Sequence, residues 1–222
     1  DLQSSVGADE LIRREYRILA RLSHAHVIKP LGCIDVAGRP ALLTECLDGG
    51  DLVPFLGAHP RHWVGTVRDV ASALVYLHES GVVHRDVKPR NVLFDEAGTA
   101  RLVDFALAAD GVANVPRGGG TAAYARPGQP RRSAPEPVDD TYAFAVLLYE
   151  MLAGRLPFGV DPAPEALLSA APPLVIEQSG IDRQAGDLAR LVDETFRRGQ
   201  ESGPQGVREF LDALESMLLR YE

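Results

Sequence analysis

Leu11, Glu15, Ile18, Leu19 and Leu22 recur at helical spacing, and the pattern stops at Ser23-His24, so an amphipathic helix is predicted over residues 9 to 22. Two apolar segments follow, Val27 to Val36 and Pro40 to Leu47, joined by Ala37-Gly38-Arg39 in the manner of an antiparallel strand pair with a tight connection. Gly49-Gly50 interrupts the pattern, and a short helix is predicted from about Asp51, whose side chain can cap it. Val64, Val67, Ala71, Leu74, Leu77 and His78 trace one face of a long helix over 61 to 79, ended by Gly81. Short strands are predicted at Val92 to Phe94 and Ala100 to Val103, around a turn at Asp95-Glu96-Ala97-Gly98. Residues 107 to 137 are rich in Gly, Pro, Ala and Arg and form a long loop, of a length that is usually functional or mobile. Val138 to Ala153 is apolar nearly all round and predicts a buried central helix, closed by Gly154 and Pro157. Further helices are predicted at 163 to 170, 184 to 198 and 206 to 220, the last with Val207, Phe210, Leu211, Leu214, Met217 and Leu218 along one side. No internal repeat is visible, and the pattern describes an α+β protein, a mainly helical body with a few strands at its front.

Composition narrows this further. At 222 residues and 45% apolar content the chain fits one domain or two closely packed lobes with a sizeable core. A net charge of −8 argues against a nucleic-acid surface, and Arg131-Arg132 is too short a basic run to reverse that. Cys33 and Cys46 are too few for a metal site or a disulfide framework and are expected to be reduced core residues in a cytoplasmic protein. The longest apolar stretch, Tyr142 to Leu152, contains Glu150 and is too short to span a bilayer, so no membrane segment is expected in this chain. Because residue 1 is Asp and not Met, targeting signals are not legible. Abundant Ala, Arg, Gly and Pro beside only two lysines point to a GC-rich bacterial genome.

The chemistry is concentrated between residues 84 and 106. His84-Arg85-Asp86-Val87-Lys88-Pro89-Arg90-Asn91 precedes the second strand pair, and Asp104-Phe105-Ala106 follows it. Standing alone, Asp86 would read as a loop cap. In this order, with Gly98 in the intervening turn, the set resembles the catalytic core of eukaryotic-type (Hanks-type) Ser/Thr protein kinases. The resemblance implies a protein kinase-like fold with a reduced N-lobe over 1–47 and a C-lobe over 48–222, using ATP and Mg on a protein substrate. Asp86 would accept the proton of the attacking hydroxyl, Lys88 would neutralise charge on the transferred group, and Asn91 and Asp104 would hold magnesium.

Other segments extend the resemblance. Gly120-Thr121-Ala122-Ala123-Tyr124-Ala125-Arg126-Pro127 looks like the substrate-side end of an activation segment, with Thr121 bonding Asp86 and Lys88; a plain loop threonine is the alternative. Asp140-Thr141-Tyr142-Ala143-Phe144 resembles the start of the family's central helix, whose aspartate anchors the catalytic loop, a role compatible with an N-cap. His84, Phe105 and Leu19 would stack above it as an internal spine, or serve simply as core. Glu45-Cys46-Leu47 resembles the hinge, behind Thr44. There adenine would bond the Glu45 carbonyl and both backbone groups of Leu47, over Leu93, and a strand end without ligand is the alternative.

Departures from the family matter as much. Glu15 matches the helix glutamate that normally pairs with a lysine, but only Asp1 to Ala8 precede its helix, and the Gly-rich loop and that lysine are missing. Lys29 and Lys88 are both misplaced for the role, so Glu15 faces an empty position unless Arg13, Arg14 or another cation folds back. This predicts weak or conditional activity, a need for an activating or roof-completing protein partner, or, in the alternative, a pseudokinase that binds without turnover. Arg126-Pro127-Gly128 and Gly203-Pro204 replace the family's Ala-Pro-Glu and Arg-Pro; a second alignment uses Ala134-Pro135-Glu136 and gives Glu136 a different partner, such as Arg208. Ala106 replaces glycine, and its Cβ disfavours positive φ. No Ser, Thr or Tyr lies between Phe105 and Gly120, so phosphorylation of that stretch is not open to this chain.

Overall fold

A computed structural model of the chain describes residues 2–58, 63–111, 121–126, 134–163, 186, 187, 189–191, 194 and 206–219. The helix predicted at 163 to 170, most of that at 184 to 198, and Gly120, Pro127, Gly128, Arg131, Arg132, Gly203 and Pro204 lie outside the described residues.

The first helix, α1, runs Leu2–Leu19, seven residues earlier than its apolar stripe indicates and three shorter at its end. Nothing in Leu2 to Ala8 breaks a helix outright, since Gly7 is tolerated at modest cost and no proline occurs. At the other end Arg21 and Leu22 bond back to the Ile18 and Leu19 carbonyls, tightening the chain out of the helix. Ile18 and Leu19 are buried, while Leu11, expected on the same face, is 40% exposed because no described element covers that part of α1.

Strands β1 (Pro30–Val36) and β2 (Arg39–Thr44) form an antiparallel hairpin with Cys33 opposite Leu42 and Val36 opposite Arg39. The connection is therefore Ala37-Gly38 alone, with Arg39 already in the strand. Both turn residues have positive φ, 51° and 82°, the backbone that matches the twist of a two-residue hairpin. Asp35 Oδ1 accepts the Gly38 N–H at 2.8 Å. A two-stranded sheet leaves much of its surface wet, which is why Cys33 is half-buried, while Cys46, beyond the end of β2, is exposed; both are free, and the expectation of core cysteines is corrected.

The short helix expected at Asp51 is a three-residue 3-10 turn, Val53–Phe55, with Asp51 Oδ1 accepting the Val53 N–H at 3.1 Å. Helix α2 (Val64–Glu79) buries Val67, Val70, Ala71, Leu74 and Leu77, and Gly81 at φ 72° turns the chain away. Strands β3 (Val92–Phe94) and β4 (Ala100–Leu102) pair antiparallel as predicted. The link to the front hairpin runs through Ile28 N–H to the Leu102 carbonyl, 3.0 Å, and Leu102 N–H to the His26 carbonyl, 2.9 Å.

Helix α3 (Pro137–Ala153) is buried almost all round and ends on Gly154 at φ 66°. Helix α4 (Gly206–Leu218) packs on α2 and α3, with Phe210 edge-on to Phe144 at 5.1 Å. Each apolar surface thus finds a facing layer, and one continuous core joins α1, α2, α3 and α4 beneath the site. No described helix is long and apolar enough to cross a membrane.

Candidate active site

The site is assembled on Asp140, in the first turns of α3. Its carboxylate is fully buried, and Oδ2 accepts the His84 N–H at 2.8 Å while Oδ1 accepts the Arg85 N–H at 2.7 Å. His78, from the apolar face of α2, adds a third contact through Nε2 at 2.9 Å. Asp140 is not the N-cap: Glu136 caps α3 in a reciprocal box with Asp139, which frees Asp140 to point into the catalytic loop.

His84 is completely buried, and that desolvation holds its pKa below the usual histidine range despite nearby Asp140. A neutral ring fits its contacts: Nε2–H donates to the Val103 carbonyl at 3.0 Å, leaving Nδ1 to accept the Asp86 N–H at 3.3 Å. The ring also meets Phe105 edge-on at 4.7 Å, and Leu19, Phe105 and His84 are all buried, as both the spine and a plain core require.

Around Asp86 the expected residues converge. Lys88 Nζ donates to Oδ2 at 2.6 Å and to Thr121 Oγ1 at 3.1 Å. The Asn91 amide donates to the Asp86 carbonyl at 2.8 Å and to Oδ2 at 2.9 Å. Thr121 supplies its N–H at 3.2 Å and its hydroxyl at 3.3 Å, both to Oδ1. Thr121 is therefore no plain loop threonine, although it lies 35 positions from Asp86. Four donors on one carboxylate hold it aimed in a single direction, which is how a short loop gains precision without being a helix or strand.

Asp104 lies beyond β4, exposed, with φ 64°. Positive φ thus falls on Asp104 and not on Ala106, so the methyl of Ala106 sits there without backbone strain. Arg85, too, is left-handed at φ 72°; such conformations concentrate where surrounding contacts over-determine the backbone.

Glu15 does not pair with an arginine of its own helix. Its Oε1 accepts the Phe105 N–H at 3.0 Å, and among the described residues no cation pairs with it. Arg14 points elsewhere and donates to the Ala108 carbonyl. Burial first, and the nearby Asp104 charge as well, raise the Glu15 pKa above the ordinary 4.5. A carboxyl raised in the folded state favours folding most when protonated, and that contribution is lost as pH climbs through the folded value. Glu15→Gln keeps an acceptor for Phe105 and removes the titration. Urea unfolding should therefore show the variant gaining on the parent as pH rises from about 4 to about 8. A stability difference independent of pH would contradict this.

Between β2, β3 and α1 lies a cleft of about 160 Å³. Ile28, Leu42, Leu47, Leu93 and Val103 line it together with Thr44, Glu45, Glu15 and Asp104. The Glu45 side chain is turned aside, accepting the Lys29 N–H at 2.7 Å and facing Arg101 at 3.3 Å. The Glu45 carbonyl and both backbone groups of Leu47 have no main-chain partner among the described residues, so this edge retains hydrogen-bonding capacity.

Some partners are not visible in the sequence pattern. Arg126 bonds Asp139 at 3.1 Å and Glu136 at 3.4 Å, so Glu136 finds its cation nearby. Arg208, the partner expected on the second alignment, instead pairs with Glu79, because α4 packs against α2. The Tyr124 hydroxyl donates to Glu150, and burial raises both pKa values.

Residues 2–186 match the family described as the protein kinase domain. The serine/threonine-protein kinase pkn2 of Myxococcus xanthus is 31% identical, over 96% of this chain and 28% of its own. The serine/threonine-protein kinase PknL of Mycobacterium tuberculosis is 38% identical over 68% of this chain and 40% of its own. CBL-interacting protein kinase 4 of Oryza sativa subsp. japonica is 37% identical over 71% and 37% respectively. The chain spans less than half the length of each of these relatives.

Proposed function

The chain belongs to the protein kinase family, and from that membership we propose that it transfers a phosphoryl group from magnesium-bound ATP to Ser or Thr of a protein substrate, as a weak or conditionally active enzyme. In this reading residues 1–47 are a reduced N-lobe and 48–222 a C-lobe that carries the catalytic loop. The observation that carries it is the Asp86 carboxylate, held by Lys88, Asn91 and Thr121, in a structure whose cleft is lined by Leu93 and Asp104.

The residues suit the group they would hold. Asn91 spends its amide N–H groups on Asp86, and its Oδ1 has no donor among the described residues. With the exposed Asp104 carboxylate this gives two hard oxygen donors, the type magnesium takes alongside water and phosphate. Magnesium, when bound, would neutralise the phosphate oxygens. Asp86 would accept the substrate hydroxyl proton, Lys88 would offset charge beside it, and Thr121 would hold both side chains in line. Adenine would lie over Leu93 and bond Glu45 and Leu47. Two of the named relatives, pkn2 and PknL, are serine/threonine-protein kinases, which supports that acceptor class. Two free cysteines fit a reducing, cytoplasmic setting.

Glu15 favours a second reading. With no cation opposite it among the described residues, one preorganised charge is missing, an absence worth roughly 3–4 kcal/mol of transition-state stabilisation. That supports a pseudokinase acting as a binding or scaffold module, or an enzyme awaiting a partner that completes the roof. Phosphate transfer from labelled ATP to the chain itself and to a generic basic protein separates these. The enzyme reading expects magnesium-dependent signal that falls about 100-fold in Asp104→Ala. Equal signal in parent and variant would leave binding only, and loss of any magnesium-dependent thermal shift with ATP would remove binding too.

A further inference from the structure

Residues 107 to 110, immediately after Asp104-Phe105-Ala106, are held group by group. Arg85 Nη1 donates to the Leu107 carbonyl at 3.2 Å, and Arg14 Nη2 donates to the Ala108 carbonyl. Ala109 exchanges two backbone hydrogen bonds with Val83, each 2.8 Å. Arg21 Nη2 then donates to Asp110 Oδ2 at 2.7 Å. Arg14 lies on α1 and Arg21 in the turn after it, about two helical turns further on, so the same side of this element grips the segment twice.

Arg14 is only 8% exposed, and its Nη1 has no hydrogen-bond partner among the described residues. A guanidinium so placed is costly, and the nearby Asp110 charge offsets only part of that cost, since burial still holds the Arg14 pKa below its ordinary value. Asp110 itself has a side chain only 14% exposed. No hydroxyl residue occurs from Ala106 to Gly119 that could add a further charge by phosphorylation. The one bond between Glu15 and Phe105 N–H is a weak tether for a whole helix.

We infer that Arg14 and the Arg21–Asp110 pair are positioning residues: by clamping α1 to segment 107–110 they hold Phe105 on Glu15 and Asp104 in the cleft, with no cation opposite Glu15 among the described residues and without covalent modification. The consequence for magnesium rests on the proposed role of Asp104; the clamp itself does not. The site is in this view assembled by default, and control must act elsewhere, on access to it.

Asp110→Arg sets a cation against Arg21 and Arg14 at a partly exposed position. Hydrogen exchange of amides 103–111 should quicken roughly three- to tenfold, and the double variant Arg21→Asp with Asp110→Arg should recover part of the protection. ATP affinity with magnesium should fall by a similar factor, while affinity without magnesium stays at the parent value. A merely structural role would weaken both affinities alike. Unchanged exchange in Asp110→Arg, or no recovery on charge reversal, overturns the inference. If exchange responds as stated but the parent shows no magnesium-dependent ATP affinity, the clamp stands and the metal role of Asp104 falls.

Discussion

Asp140→Ala is expected to destabilise the protein by roughly 3–5 kcal/mol. The carboxylate is fully buried and accepts three bonds, two of them from backbone N–H groups of the catalytic loop. Truncation leaves the His84 and Arg85 N–H groups without acceptors in a place water does not reach, and each stranded donor costs about 1–3 kcal/mol. Asp140→Asn keeps one acceptor oxygen and should fall between parent and alanine. Urea titration at neutral pH, read as a shift in midpoint at constant slope, measures this. A loss below about 1 kcal/mol would mean that the loop is anchored by packing and not by this side chain.

A different signature is expected of Asp86→Asn. Phosphoryl transfer should drop by about 10²–10⁴-fold, the usual worth of a positioned proton acceptor, while magnesium–ATP affinity changes little. The reason lies in what surrounds the carboxylate. Lys88, Asn91 and Thr121 all donate to it, so an amide there keeps some of these bonds but turns an N–H toward donors and cannot take a proton. Single-turnover transfer and nucleotide titration on the same variant separate the two effects. A rate unchanged in the asparagine variant would remove Asp86 from the chemistry and leave it a structural hub.

The parts of the fold that were legible share a property: their signal is local. The apolar faces of α2 and α4, the nearly all-apolar α3 and the β3–β4 hairpin are read from spacing over a few turns, and the structure places each within a residue or two at most sites. Where local signals were weak or shared, the reading slipped. Leu2 to Ala8 has no apolar stripe, so α1 begins before its pattern does. Glu136, Asp139 and Asp140 can all cap a helix, and it is the capping box that leaves Asp140 to the loop. Cys46 continues an apolar run yet is exposed, because β2 ends at Thr44 and the residue lies beyond the sheet.

Residue type and order along the chain were enough, by themselves, to place α2, α3, α4 and both hairpins and to single out Asp86, Lys88, Asn91, Asp104 and Thr121 as the polar set to examine. Beyond the expected pairings of Thr121 with Asp86 and Lys88 and of Asp140 with the catalytic loop, the tertiary structure decided who meets whom. Glu15 turned to a backbone N–H 90 positions away, Arg14 to a carbonyl 94 away, and Arg126 took the place offered to Arg208. The physical reason is that helix and strand periodicity arises from neighbours a few residues apart, whereas a buried charge settles on whichever distant group the packed core brings within reach to repay its lost hydration.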